Sequence, residues 1–347
     1  MSKKNLIFIY PKLYTFIQTE IKLLSDEFNL ISINQNWERK ILLPFNLIRQ
    51  VIFLVINIRK VDTILISFGG YWSFFPALFS DLLGKKVAIV LHGTDCVSFP
   101  EIEYGNLRNP ILSFVTKKSL QWASIILPVS ESLVYTENNY YSSKTLKFGY
   151  NYHLSNIKTP YKVIHNGLNI LDWVRDNEII RNKTSFVTVL GEGKIKIKGV
   201  DLIIEVASRF PNSIFYLAGI DKLIGYDVPE NIICKGILNA EELKELYNQS
   251  QFYLQLSNTE GFGVALCEAM LCECIPIVSD VNFLPNIIGD SGLILKKRNV
   301  EMLFDLINLA LKLDISIMEQ RSRKRIIDNF SIENRQRLLI SALSFSN

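Results

Sequence analysis

From Leu6 to Leu295 the chain alternates short β-branched or aliphatic runs with helix-length amphipathic segments. This pattern argues for parallel sheets flanked by helices, an α/β fold, because strands and helical crossovers follow one another without a break. The predicted strands of the first half are Leu6–Tyr10, Leu30–Ile33, Thr63–Ser67, Val87–Leu91, Ile125–Val129 and Lys162–His165. Those of the second half are Phe186–Leu190, Ile214–Leu217, Ile232–Cys234, Phe252–Leu256, Ile275–Val278 and Leu293–Leu295. A chain of 347 residues exceeds a usual single core, so each half is expected to build its own sheet. Asn166-Gly167 makes a turn after the last strand of the first half, which sets the expected domains at 1–168 and 169–330. The closing segment, 331–347, has helical spacing and is expected to pack back on the first domain.

Composition narrows the function. Lys plus Arg exceed Asp plus Glu by 38 − 34 = 4, a mild basic excess that falls short of a nucleic-acid-binding signature. The apolar run Leu6–Tyr10 is too short for a signal peptide, so a cytoplasmic protein is expected. Cys96, Cys234, Cys267, Cys272 and Cys274 sit in apolar stretches without metal-ligand spacing and read as reduced core residues. Ile41–Ile58 is the most hydrophobic stretch, yet Pro44, Asn46, Arg49, Gln50 and Asn57 interrupt it and argue against a membrane span. With Arg39, Lys40, Arg49, Arg59 and Lys60 around it, it reads either as a core helix with solvated ends or as a surface for an anionic bilayer.

The chemistry concentrates in Ser257–Met270, where a glycine-rich loop follows the strand Phe252–Leu256 and helical sequence begins about Val264. Ligands collect at the carboxyl edge of a parallel sheet, and the backbone N–H groups of Gly261, Phe262, Gly263 and Val264 would point outward at the positive end of the helix. Glu260 would stand in the mouth of this site, and Glu268, about one turn into the helix, could accept both hydroxyls of a ribose. Read blandly, the same acids are a helix-start Glu favoured by the dipole and a Glu on a solvated face.

Glu260-x7-Glu268 within EGFGVALCEAM resembles the signature of the retaining glycosyltransferases of family four, the glycosyl transferases group 1. His92-Gly93-Thr94-Asp95 is similar to that family's HGxD element, Val163–Asn169 to its interdomain VIPNGVD, and Lys198-Gly199-Val200-Asp201-Leu202 to its KGxDxL. The resemblance implies the GT-B architecture, two facing Rossmann-like domains with a cleft between them. It implies that Glu260 contacts the donor sugar near its anomeric centre, Glu268 the ribose, Lys198 the diphosphate, and the 261–263 amides the sugar and phosphate oxygens. His92 would sit near the sugar's C6 hydroxyl, with Asp95 and Asn166 shaping the cleft.

Departures from the family pattern are specific. Glu192 stands where the family has a diphosphate-binding Arg, which leaves Lys194 or Lys196 to supply a second cation. Asn286 replaces the acid of the PE pair, and Cys274 replaces a common glycine. The loop Tyr10–Phe16 lacks a glycine pair, although Glu20 and Leu23-Leu24 keep the next helix recognisable. A nicotinamide fingerprint at Gly191-Glu192-Gly193 fails, because its third glycine would fall at Lys196. A sugar-nucleotide epimerase, a phosphorylase and a catalytically silent nucleotide-sugar-binding subunit remain as alternatives on the same architecture.

The expected activity is retaining transfer of a sugar from a nucleotide diphosphate donor to a glycan or lipid-linked acceptor, in bacterial surface polysaccharide assembly. No Asp-x-Asp pair occurs to hold a divalent cation, so lysines and helix-end amides are expected to neutralise the leaving group, with no metal and no cofactor.

Overall fold

The computed structural model describes residues 3–191 and 194–344, which form two compact units. The first holds the chain up to Thr136, then Lys147–His165, and returns from Glu333 onward; the second holds Glu137–Leu146 and Asn166–Ile332.

In the first unit five parallel strands lie in the order Phe28–Ser32, Lys4–Ile9, Thr63–Ser67, Lys86–Leu91, Ile125–Pro128. The central strand Thr63–Ser67 is buried along its whole length, as expected of a parallel strand covered by helices on both faces. The expected strand at Lys162–His165 does not form as a regular element. The segment instead follows the edge strand through three hydrogen bonds, Ile126 N–H to Pro160 O, Lys162 N–H to Ile126 O and Ile164 N–H to Pro128 O.

The closing helix Ile332–Leu343 is held in the first unit by a fully buried pair, in which Arg335 donates to Glu20 and to the carbonyls of Ile164 and His165. Removing one partner of such a pair typically costs about 3–5 kcal/mol, because the other charge is left unmatched.

The helical segment Lys40–Lys60 runs unbroken, because Pro44 falls in its first turn, where no intrahelical N–H is lost. The residues expected to interrupt the segment do not break the helix, and its most apolar 18-residue stretch, with a mean hydropathy of 2.0, reaches the length and composition of a membrane span. Its Asn46 and Gln50 are turned inward and bonded.

In the second unit six parallel strands lie in the order Ile232–Cys234, Ile214–Ala218, Asn182–Val189, Ser250–Gln255, Ile275–Ser279, Leu293–Leu295. Numbered along the chain this is 3-2-1-4-5-6, so the order reverses between Asn182–Val189 and Ser250–Gln255, and a crevice opens past their carboxyl ends. Phe186, Phe215 and Phe252 stack across the three middle strands with centroids 4.8 and 4.9 Å apart. The helix Ala240–Gln249 starts on a capping box in which Asn239 accepts from the Glu241 and Glu242 N–H groups and Glu242 accepts from Asn239 N–H. Cys96, Cys267, Cys272 and Cys274 are buried free thiols, while Cys234 is half-buried.

Candidate active site

Both loops at the switch point of the second sheet carry the residues singled out by the sequence. The strand Ser250–Gln255 runs out into Leu256–Gly263, and the helix Val264–Leu271 begins at Val264. Gly263 is the last residue before that helix and adopts φ 116°, a backbone conformation that disfavours any side chain. Phe262 is buried against Phe283 and Phe330, so its ring anchors the loop and only its backbone faces the site.

Glu260 is held from three directions. Its Oε2 accepts from Lys198 Nζ at 2.6 Å, from the Gln255 amide at 2.7 Å and from Ser257 Oγ at 3.3 Å. Its backbone N–H donates to Asn282 Oδ1 at 2.9 Å, and Thr259 Oγ1 donates to the same oxygen at 3.0 Å. Burial works to raise the Glu260 carboxyl, but the Lys198 ammonium, the Ser257 hydroxyl and the charge of Lys194 outweigh it and hold the group below its ordinary value. The Lys198 and Glu260 side chains keep 20% and 19% of their surface, so an incoming anion can reach the pair.

Lys198 reaches Glu260 because the next residue permits a tight approach. Gly199 has φ 66°, and a Cβ there would stand 2.2 Å from the Leu256 carbonyl oxygen. Asn258 completes the joint, its amide donating to Lys196 O and its N–H to Ile197 O, both at 2.8 Å. Asp201 of the same motif pairs with Arg298.

Lys194 and Lys196 are both exposed, and the Lys194 side chain lies back along Gly191. Glu192 and Gly193 lie outside the described residues. Beside Gly191 a cavity of about 300 Å³ opens at the carboxyl ends of three strands, lined by Leu190, Gly219, Ile237, Leu238 and Leu243 among others. Sequence reasoning missed this apolar pocket; its signal was the pair of glycines, Gly191 and Gly219, each placed just past a strand.

Glu268 is one turn into the loop's helix. Burial raises its carboxyl to about 7, against a hydrogen bond from the Tyr247 hydroxyl that acts to lower it. Asn286 is exposed in the short helix Leu284–Ile288, its carbonyl accepting from Arg325. Cys274 is buried, with Sγ 3.2 Å from Tyr247 O.

In the first unit the strand order is 2-1-3-4-5 along the chain, which puts the reversal between Lys4–Ile9 and Thr63–Ser67. Phe68 follows the latter strand with φ 64°, an unusual backbone for a bulky residue. Its ring stacks on His92 at 4.2 Å, and Phe16 lies 5.2 Å from the same imidazole. His92 Nε2 shares a hydrogen bond of 2.9 Å with Ser67 Oγ. Burial first, and the charge of Arg335 second, hold the His92 pKa well below its ordinary value, so the imidazole is neutral.

Asp95 is fully buried and accepts from the N–H groups of Gly93 at 2.9 Å, Gly69 at 3.0 Å and His92 at 3.2 Å. It ties the loops after two neighbouring strands together and so fixes the backbone that carries His92. Asn166 is half-buried at the start of the second unit. The structure thus gathers Glu260, Lys198, Gly261–Val264 and Glu268 in one unit, with Lys194 beside the neighbouring loop, and His92 with Asp95 in the other. No cluster of three or more potential metal ligands occurs among the described residues.

Residues 174–330 match the family described as glycosyl transferases group 1. A GDP-mannose:cellobiosyl-diphosphopolyprenol alpha-mannosyltransferase of Xanthomonas oryzae pv. oryzae is 38% identical over 79 residues, 22% of this chain and 21% of that protein. An alpha-galactosylglucosyldiacylglycerol synthase of Streptococcus pneumoniae is 30% identical over 124 residues, 30% of this chain and 33% of that protein. The matched part thus spans a third or less of these curated relatives.

Among solved structures, a sucrose-phosphate synthase of Thermosynechococcus elongatus superposes with a TM-score of 0.76 at 14% identity, covering 99% of this chain and 100% of that one. HepE of Anabaena, in complex with UDP, gives 0.73 at 13% identity, covering 98% and 99%. These likenesses show the fold: α/β, with two Rossmann-like units of the GT-B class.

Proposed function

We propose that this protein is a retaining glycosyltransferase of family four that moves a hexose from a nucleotide diphosphate sugar to a glycan or lipid-linked acceptor. The observation that carries the proposal is the Lys198–Glu260 pair, 2.6 Å apart in the loop that closes the switch-point crevice. A lone buried carboxylate would not stay ionised there; with Lys198, Ser257 and Lys194 around it, Glu260 does.

Each part of a nucleotide sugar finds matching chemistry nearby. The apolar pocket of about 300 Å³ suits a planar base, and Glu268 a ribose diol. Lys198, Lys194 and the loop amides suit a diphosphate. The hexose then lies with its anomeric carbon toward Glu260.

In the reaction the bond from the anomeric carbon to the phosphate oxygen breaks as the acceptor hydroxyl bonds to that carbon on the same face. The acceptor's proton passes to a leaving phosphate oxygen. Glu260 favours the positive charge that builds on the sugar, and the lysines with the amides favour the charge on the departing diphosphate, so no divalent cation is required. His92, neutral and fixed by Ser67 and Phe68, can exchange hydrogen bonds with a sugar hydroxyl without adding a charge.

The reading extends to bacterial surface polysaccharide assembly on the cytoplasmic side of the membrane. Partial similarity to a mannosyltransferase acting on a diphosphopolyprenol acceptor and to an O-antigen chain mannosyltransferase of Escherichia coli supports that setting.

The test is transfer from a panel of radiolabelled UDP, GDP and ADP sugars to membrane glycolipid extract, with and without chelator. The expected result is labelled product from one donor, with the anomeric configuration kept and the rate unchanged by chelator. Donor binding without hydrolysis or transfer would favour a silent subunit, and a large loss restored by Mg²⁺ or Mn²⁺ would overturn the metal-free mechanism.

A further inference from the structure

The helical segment Lys40–Lys60 is built inside out. A helix on a globular unit ordinarily turns its apolar stripe inward and its polar face to water. Here Asn46, Gln50 and Leu54, at intervals of four, face the interior. Gln50 donates to Trp72 O and Asn46 to Asn36 O, both at 2.9 Å, and the Asn46 carbonyl accepts from Gln35 at the same distance. Ile41, Phe45, Ile48, Ile52 and Val55, spaced by four and three, form the opposite stripe, and with Ile56 they are 56% to 89% exposed. Burying two amides inward while leaving six large apolar side chains in water makes no sense for a helix whose outer face meets only water.

Charge says what covers the face. Arg39 and Lys40 stand at one end, Arg59 and Lys60 at the other, and Arg49 one helical step from the stripe, all exposed. No acidic residue occurs between Glu38 and Asp62, and none of the five cations makes an ion pair among the described residues. A stripe of this kind in contact with a second copy of itself would set the same cations against one another. An anionic lipid surface matches both the apolar stripe and its rim.

We infer that this segment is a docking surface for an anionic bilayer, lying in the plane of the headgroups with Phe45, Ile48 and Ile52 pressed into the acyl boundary. It lies on the membrane rather than crossing it, since a span would strip Gln50 from Trp72 and bring two amides into hydrocarbon.

Cosedimentation of the full chain with vesicles tests this without any sugar donor, so its result stands apart from the proposed activity. The protein should pellet with phosphatidylcholine–phosphatidylglycerol vesicles at low salt, pellet weakly with phosphatidylcholine alone, and be released as salt rises. The triple variant Arg49→Ser/Arg59→Ser/Lys60→Ser should weaken binding by roughly fivefold per cation, about a hundredfold in all. The pair Ile48→Asp/Ile52→Asp should abolish binding with an unchanged thermal melt, because both side chains face outward. Absence of binding to the anionic vesicles, equal binding to the neutral ones, or undiminished binding of the aspartate pair overturns the inference. A lipid-free dimer that the aspartate pair dissociates overturns it in favour of a self-interface.

Discussion

Replacing Gln255 with Leu separates the placing of Glu260 from the contacts made to a donor. The Gln255 amide donates to Glu260 Oε2 at 2.7 Å and to Ser257 Oγ at 2.9 Å, while its carbonyl accepts the Tyr253 hydroxyl at 2.8 Å. Leucine fills a similar volume in this fully buried strand and makes none of these bonds. A hydrogen bond to a charged group contributes about 1.5–3 kcal/mol. If the transition state needs Glu260 held at the anomeric carbon, that loss falls on kcat, roughly 10- to 150-fold at about 1.36 kcal/mol per decade. Donor KM should move little, because Gln255 lies beneath the carboxylate rather than beside the ligand. The Tyr253 hydroxyl, left without its acceptor although it still meets the Val189 backbone, costs a further ~1–3 kcal/mol of stability, part of which adding Tyr253→Phe should restore. Steady-state transfer and denaturant titration on both variants give the two quantities. A kcat within about twofold of the parent, where Glu260→Ala abolishes transfer, would refute the reasoning, and so would recovery of kcat along with stability in the double variant.

Glu260→Ala should mainly lower kcat and Glu268→Ala mainly raise donor KM; equal, small effects on steady-state rates would mean that the loop is not the donor site. Lys194→Ala should weaken nucleoside diphosphate binding by roughly tenfold or more, and Lys196→Ala by less, as read by calorimetry; unchanged affinity in Lys194→Ala rejects it as the second cation. The Glu268 carboxyl, raised by burial to about 7 from an ordinary 4.5, keeps a proton in the folded chain that the unfolded chain has lost. Its contribution to stability is full below 4.5 and is lost as pH rises through about 7, so Glu268→Gln should flatten that part of the stability profile in denaturant titrations. An unchanged profile in the variant would assign the slope to other groups.

Eleven of the twelve strands expected from sequence form. Buried parallel strands such as Thr63–Ser67 and Ile275–Ser279 advertise themselves as continuous apolar runs, and Gly263 marks the start of the helix at Val264. Lys162–His165 has the same local pattern and fails as a regular strand, because the edge strand it follows ends in Pro128, which has no N–H to donate to the Lys162 carbonyl. Gln255 was legible in principle. Tyr253, Gln255 and Ser257 share one strand face by the period of two, and a polar series in a buried strand that ends at Glu260 is a signal.

The sequence by itself determined the α/β class, the glycine-rich loop between Ser257 and Gly263, and the candidate acids Glu260 and Glu268, since these depend on local periodicity and on short spacings. Tertiary structure alone decided that Lys198, 62 residues from Glu260, closes on its carboxylate, and that Leu190, Gly219 and Leu238 meet at one pocket. It also decided which way the Lys40–Lys60 segment faces: a pattern of apolar residues broken by Asn46 and Gln50 fixes two stripes, but not which one turns inward. The inward turn is made by the partners waiting on the unit, since Gln50 and Asn46 meet the carbonyls of Trp72 and Asn36, while the outward apolar stripe is left for the cover inferred above.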